Sequence, residues 1–295
     1  MDVFYLLELA INGALVGLMY ALVALGIVLV YKSSGVANLA QGALAMVGGY
    51  VVWWLAYALG APLWAAVPLG ILVMFGVGIG LERVALRRMV GQPVIMVIML
   101  TLGIEILLRG VAPALWGPAM KSLDIGIGRQ PVLLGDILVN RAYLVGGVVA
   151  LVLIGLSLLF FNTRLGIMLR AVSDDQRASW AVGIRVERAI ALSWGLAGIA
   201  AACAGVLWGS VQGVDWTLSL LLIKGLAVAI LAGLDSIAGV LVAGVLVGVL
   251  ENVIPGYVDP LVGGGTRDLV ASTVILLTIL VRPYGLFGRE EIERV

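Results

Sequence analysis

Long stretches without a charged side chain, separated by short charged clusters, set the plan of this chain. Residues 9–31 carry no charge and end at Lys32. The next uncharged stretch, 33–81, is too long for one crossing of a bilayer, which takes about 20 apolar residues in a helix. The break Gly60-Ala61-Pro62 divides it into helices predicted at about 38–59 and 62–81. A cluster with Glu82, Arg83, Arg87 and Arg88 follows, and then Gly91-Gln92-Pro93, a helix stop followed by a new start. Further helices are expected at about 94–116, 142–161, 189–210, 218–234, 237–254 and 268–282. That makes nine candidate spans, with eight to ten as the range. The weakest are the segment just after Lys32 and the pair separated only by Leu234-Asp235-Ser236. Re-entrant or broken helices are the alternative reading there.

Composition sharpens this plan. Of 295 residues, 62% are hydrophobic and only 12% charged, and the mean hydropathy is +1.16. A soluble domain carries about 25% charge and about 45–50% apolar residues, so a water-soluble globule is excluded. The expectation is an all-α, polytopic transmembrane helical bundle forming one domain over 1–295. Its largest hydrophilic blocks are 117–141 and 164–188. Histidine is absent, which removes the usual metal ligand and neutral-pH proton shuttle. The single cysteine, Cys203, excludes an intrachain disulfide framework. A net charge of +1 gives no reason to expect nucleic acid as a partner.

Lysine and arginine collect on cytoplasmic loops. With nine alternating crossings, one side receives Lys32 and the arginines of 83–88, 164–188 and 282–294, twelve residues in all; the other receives Lys121, Arg129, Arg141 and Arg267. This predicts a periplasmic N-terminus and a cytoplasmic C-terminus. No base precedes Lys32, so the first span is expected to be retained and not cleaved as a signal peptide. Trp53, Trp54, Trp64 and Trp116 fall near outer span ends, where amphipathic rings favour the interface. A weak internal echo relates Asn38, Gly42 and Gly48 to Asp235, Gly239, Gly244 and Gly248; in so glycine-rich a chain, coincidence explains it about equally well.

Catalytic machinery is missing. No G-x-x-x-x-G-K-[ST] phosphate cradle occurs, and without histidine the common nucleophile–base–orienter set cannot be assembled. An enzyme acting through its own residues is not expected. The informative block is 164–188. Ser173 followed by Gln176 matches a capping box, and Asp174 and Asp175 suit the positive end of a helix dipole. Ala178, Ala181 and Val182 suit a helix and Gly183 a stop. The spacing predicts two to three helical turns between two spans, with Trp180 and Val182 facing a partner or the membrane interface. A stiff interfacial connector is the plainer reading.

Several patches together resemble the permease subunits of branched-chain amino acid ABC importers. They are Asn12-Gly13, Tyr20-Ala21-Leu22, Ala24-Leu25-Gly26, Tyr31 and Asn38-Leu39-Ala40-Gln41-Gly42 near the start. In the middle come Arg164-Leu165-Gly166, Arg170-Ala171, Asp175, Ala178, Gly183-Ile184, Ala197-Gly198 and Ala204-Gly205. Toward the end lie Leu231 to Gly239, Glu251-Asn252 and Arg282-Pro283-Tyr284-Gly285-Leu286-Phe287-Gly288. They run in order along the whole chain, and the fit is best with the first of the two paired permeases. One departure is Gly233-Leu234-Asp235, where the family often has glycine pairs or glycine–methionine. The resemblance implies an inner-membrane subunit working with a second, related permease, two cytoplasmic ATPase subunits and a periplasmic solute-binding protein. It implies that ATP and Mg are bound by the partners, with no cofactor on this chain. It also implies that 173–182 is a coupling helix seated on an ATPase, with Arg170, Ser173, Asp174, Asp175, Gln176, Ala178, Trp180 and Gly183 as the coupling residues.

Polar groups inside the spans are the remaining candidates. Glu105 and Arg109 are four apart on one helix face and can pair; a structural ion pair and a role in solute passage are both open. Lys224 can snorkel toward an interface. Asn12, Tyr20, Asn38, Gln41 and Glu105 are candidates for lining a pathway, with helix-to-helix hydrogen bonding the alternative for the amides, as for Gln212. The rival functions are the same scaffold carrying urea, short amides or another small organic solute, and an ATP-independent transporter or channel using Glu105 or Glu251.

Overall fold

The computed structural model describes residues 3–89, 92–128, 130–134 and 137–288. Its helices are α1 (Val3–Ser34), α2 (Gln41–Trp53), α3 (Leu63–Val84), α4 (Val94–Trp116), α5 (Arg141–Phe161), α6 (Arg164–Asp174), α7 (Gln176–Ala181), α8 (Val186–Gln212), α9 (Leu221–Ala232), α10 (Ile237–Val262) and α11 (Thr266–Val281). Within the loop between α4 and α5, β1 (Val132–Leu134) and β2 (Ile137–Val139) pair antiparallel, Val132 opposite Val139.

Among the described residues, six helices are long and apolar enough to cross a bilayer: α1, α3, α4, α5, α8 and α10. The chain is therefore a multi-pass membrane protein. The nine expected segments all fold as helix, but three fall short of that length. At 1.5 Å per residue, α9 reaches about 18 Å and α11 about 24 Å. For α2, a π-helical turn over Trp54–Ala58 extends an α-helix of 13 residues.

The reason is that α2 and α9 begin inside the bundle. Gln41, the first residue of α2, bonds to the carbonyl of Ala197, which lies about 17 Å along α8 from its start. Gly42 touches the carbonyl of Ser219, in the 3-10 turn Trp216–Leu220 that leads into α9. Asp215 caps that turn by accepting from the Thr217 amide at 2.9 Å. Part of each passage is thus spent in non-helical backbone, which lipid cannot solvate but surrounding protein can.

The bundle has an inside and an outside. In α1, 89% of the most apolar window is buried, and in α8 78%, against 22%, 17% and 28% in α3, α4 and α5. A helix apolar around its whole circumference has to be surrounded, and α1 is so placed, against α5, α8, α9 and α10. Small residues set the closest crossings. A β-carbon at Gly17 would overlap the Gly244 carbonyl, and one at Gly248 the Gly13 carbonyl. Where α2 meets α8, one at Gly205 would overlap the Ala45 carbonyl and one at Gly48 would strike Ala202. Where α3 meets α8, Gly78 faces the carbonyl of Trp194 and Gly198 that of Met74. Lipid tails are as apolar as leucine, so such contacts stabilise the bundle by close packing and not by hydrophobic exclusion.

Both ends of the bundle are strapped. At one end the 117–140 loop joins the bundle through a bridge between Lys121 and Val214. Tyr57 accepts from the Asp124 amide at 3.0 Å and donates to its carbonyl at 3.1 Å. At the other end the 282–288 tail folds against α9: the Leu286 amide donates to Leu231 at 2.8 Å and the Phe287 amide to Ala232 at 3.1 Å. These are terminal helix carbonyls that would otherwise lack partners. Gly233 (φ +93) and Gly285 (φ +73) let the two backbones touch in this strap.

Candidate functional site

The segment between α5 and α8 is two short helices and a hinge. Thr163 caps α6, its side chain accepting from the Gly166 amide. Gly166, Leu169 and Val172 form the buried face of α6, which rests on α1, α5 and α8. Arg170 donates through Nη2 to the Phe161 carbonyl at 3.0 Å, tying α6 to the end of α5. At Asp175 the backbone is extended (φ −155, ψ 108). There the Asp175 amide still donates to Ala171, at 3.1 Å, while its Oδ1 accepts from the Ala178 amide at 2.9 Å. One residue thus closes α6 and caps α7. Gly183, at φ +85, ends the unit; its amide donates to Trp180 at 3.1 Å and the next amide, of Ile184, to Ser179 at 3.0 Å.

Ser173 lies within α6 and not at a helix start, and the Gln176 half of the expected capping box lies outside the described residues. The apolar face that starts at Gly166 carries α6 through Ser173 to Asp174, so helix initiation moves two residues on, to Asp175, whose short acceptor side chain suits a cap. The predicted single helix over 173–182 becomes the end of α6 and the six residues of α7. Gln176 opens α7; its side chain lies outside the described residues. Asp174 and Ala178 are exposed. Ser179 is buried, whereas Trp180 is 68% and Val182 77% exposed.

From this unit, contacts lead to the far helices. The Phe161 ring lies under Lys32, with Nζ 5.6 Å from its centroid. Lys32 Nζ in turn donates to the Asp235 carbonyl at 2.7 Å, in the α9–α10 loop. Ser236, next to it, caps α10 by accepting from the Gly239 amide at 3.0 Å.

The polar candidates of the spans fall in separate places. Asn38 and Gln41 come together: Asn38 Nδ2 donates to Gln41 Oε1 at 3.1 Å, and Gln41 Nε2 to the Ala197 carbonyl at 3.0 Å. Both are fully buried, with Gln41 lying across Gly26 of α1. Asn12 joins α1 to the β1–β2 hairpin, donating to Leu138 at 2.8 Å and accepting from the Asn140 amide at 3.0 Å. Tyr20 is buried and stacks on Trp208, centroids 5.0 Å apart and planes at 10°. It sits beside Glu251.

Among the described residues, the candidate charges of the bundle are ion-paired at two places. Glu105 is held by Arg109 of the same helix, with Arg109 Nε also donating at 3.0 Å. The other joins three helices. Lys224 Nζ of α9 reaches Glu251 Oε1 of α10 at 2.6 Å and Asp268 of α11 at 2.8 Å. Glu251 is fully buried and its Oε2 has no hydrogen-bond partner among the described residues. No snorkelling is needed for Lys224, because its charge is met inside the bundle. Lys224 and Glu251 are not neighbours in the sequence. Their separation of 27 residues carries no periodic signal, although two opposite charges in adjacent apolar helices is itself a hint of pairing. No group of three His, Cys, Asp or Glu side chains placed to hold a metal ion occurs among the described residues.

Over residues 9–281 the chain matches the family described as branched-chain amino acid transport system / permease component. It is 30% identical to the high-affinity branched-chain amino acid transport system permease protein BraD of Pseudomonas aeruginosa, over 100% of this chain and 99% of that protein. Against the permease protein LivH of the Escherichia coli system of the same description, identity is 30% over 99% of this chain and 98% of that one. The structure of PsaBC from Streptococcus pneumoniae in complex with Fab aligns with 92% of this chain and 91% of its own at a TM-score of 0.47 and 17% identity.

Proposed function

The chain belongs to the branched-chain amino acid transport system permease family, and on that premise we propose that it is a membrane subunit of an ABC importer for branched-chain or related amino acids. In this reading it lies in the bacterial inner membrane with its N-terminus periplasmic and its C-terminus cytoplasmic. It pairs with a second, related permease. Two cytoplasmic ATPase subunits bind ATP and Mg, and a periplasmic binding protein delivers the solute. The excess of lysine and arginine in the loops that include 83–88 and 164–188 supports this sidedness.

The observation that carries the proposal is the α6–α7 unit. It is capped at Asp175, closed at Gly183 and anchored by a buried face, yet it presents Trp180 and Val182 outward. Such a unit transmits a push. ATP binding that closes an ATPase pair displaces α7; Arg170 carries the displacement to the end of α5, and Lys32 carries it on to the α9–α10 loop. The spans then favour one of two access states, by differential contact and not by chemistry on this chain.

An ATP-independent transporter would use a free intramembrane carboxylate. Glu105 and Glu251 are both ion-paired, which disfavours that rival. Cargo other than branched-chain amino acids stays open to the same scaffold, since the binding protein selects the solute. The test is isolation from native membranes followed by reconstitution. An ATPase subunit is expected to travel with the chain, and leucine uptake into proteoliposomes is expected to require the whole complex and ATP. Uptake by this chain alone, without ATP, overturns the proposal.

A further inference from the structure

A groove of about 490 Å³ opens where the ends of α1 and α3, the start of α4, α7 and the start of α8 converge. Its walls are apolar, with Leu86, Val97, Val186 and Ile190 among them, and Trp180 of α7 stands at its edge. The polar groups of the lining are Ser34, Gln92, Glu187 and an ion pair, buried Glu82 with half-exposed Arg87, at 3.0 Å. Glu82 engages the Nε and Nη2 donors of Arg87, leaving other N–H groups of a guanidinium that is 41% exposed.

Two features say what fits. The groove opens sideways: Val94 lines it and is also, with Ile95 and Met96, part of the exposed outer face of α4, at 57%, 58% and 50% exposure. A wall continuous with a face of a spanning helix is open to acyl chains. The surroundings are also basic. Residues 82–88 hold three arginines against one glutamate, and 185–188 hold two against one. Arg83, Arg88, Arg185 and Arg188 are all exposed. An apolar slot with exposed arginines next in sequence to its lining residues Glu82, Arg87, Val186 and Glu187 suits an anionic lipid: the acyl chain takes the slot and the phosphate takes the guanidinium groups.

We propose that this groove binds one anionic phospholipid of the inner leaflet, whose acyl chain packs beside Trp180 and whose headgroup is held by the 83–88 and 185–188 arginines. A lipid seated there wedges the coupling unit against α3 and α4, so transport responds to anionic lipid content. The location of the headgroup in the inner leaflet rests on the sidedness proposed above; the groove and its charge do not.

The full chain is placed in phosphatidylcholine nanodiscs with increasing phosphatidylglycerol, either lipid brominated on its acyl chain. The Trp180 signal is the fluorescence difference between the parent protein and Trp180→Phe. Brominated phosphatidylglycerol is expected to quench it at a mole fraction at least five-fold lower than brominated phosphatidylcholine. Arg83→Gln with Arg88→Gln is expected to bring the two curves together, and Val97→Phe, narrowing the groove from α4, to weaken both. Equal quenching by the two lipids overturns the proposal, since ordinary bilayer contact gives that result. So does the absence of Trp180-dependent quenching with either, as for a groove filled by protein. Thiol labelling at Val182→Cys in sealed vesicles reports sidedness separately: a periplasmic result overturns the proposed function while the quenching still decides the lipid site.

Discussion

Around Gly17, Gly48 and Gly205 helix backbones meet directly, with no side chain between them; between Phe161 and Val186 the chain is held by caps, one arginine and a narrow apolar face. The first region is specified by what cannot be added to it, the second by a few groups that cannot be removed. Packing of the first kind is bistable at best and does not bend gradually, because a β-carbon there overlaps backbone that has no rotamer to change. In the proposed mechanism the second kind moves as a body while its internal hydrogen bonds stay intact. A transporter needs both, a rigid frame and a part that can be pushed.

The largest effect should come from trespassing on the frame. Gly205→Leu places a side chain on the Ala45 carbonyl, and the expected result is loss of folded protein, read as membrane yield and a monodisperse elution peak. Gly76→Leu, on α3 where a β-carbon meets nothing, should leave both unchanged; equal damage in the two would erase the distinction.

Next comes the buried pair. Glu251→Gln leaves Lys224 with the exposed Asp268 as its carboxylate and the Arg267 carbonyl, and removing one partner of a buried pair costs about 3–5 kcal/mol. A clear fall in Tm in detergent is expected, partly recovered in the double variant with Lys224→Met. Full stability in Glu251→Gln would mean that the three-helix junction is not a fixed part of the frame.

Glu105→Gln should cost less, since Arg109 is on the same helix and 39% exposed. Yield should fall modestly with the order of substrate preference intact; a switch in preference would move Glu105 from the frame to the pathway.

The smallest change in stability, and the most informative, belongs to the hinge. Asp175→Ala removes the α7 cap, worth about 0.5–2 kcal/mol locally. Gly183→Ala puts a side chain at φ +85, which costs about 1–2 kcal/mol. Protein level should be unchanged while ATP-driven uptake drops several-fold. Normal uptake in both variants would remove α7 as the element that is pushed.

Much of this division can be read from residues in order. Apolar length shows α1, α3, α4, α5, α8 and α10 as spans, because a helix in lipid satisfies its backbone by itself and needs only an apolar exterior. Gly183 and Asp175 signal a stop and a cap for reasons internal to a few residues. What sequence order could not show is contact between distant segments. That α2 and α9 begin inside the bundle depends on Gly42 meeting Ser219, 177 residues away. The same holds for the tail motif 282–288, visible as a resemblance but given a physical role only when Leu286 and Phe287 are found on the carbonyls of α9. The displaced cap has another origin: two overlapping local signals, and the buried face of α6 decided between them.

That tail has a bearing on biosynthesis. Ribosomes deliver Leu231 and Ala232 more than fifty residues before Leu286 and Phe287, so in the nascent chain the short helix inside the bundle waits with an unfinished end while α10 and α11 are made. This elbow, where the tail meets α9, can close only after α10 and α11 have been made. A chain stopped before residue 286 would carry every span and still present open carbonyls at that elbow, the kind of defect that membrane quality-control proteases can recognise.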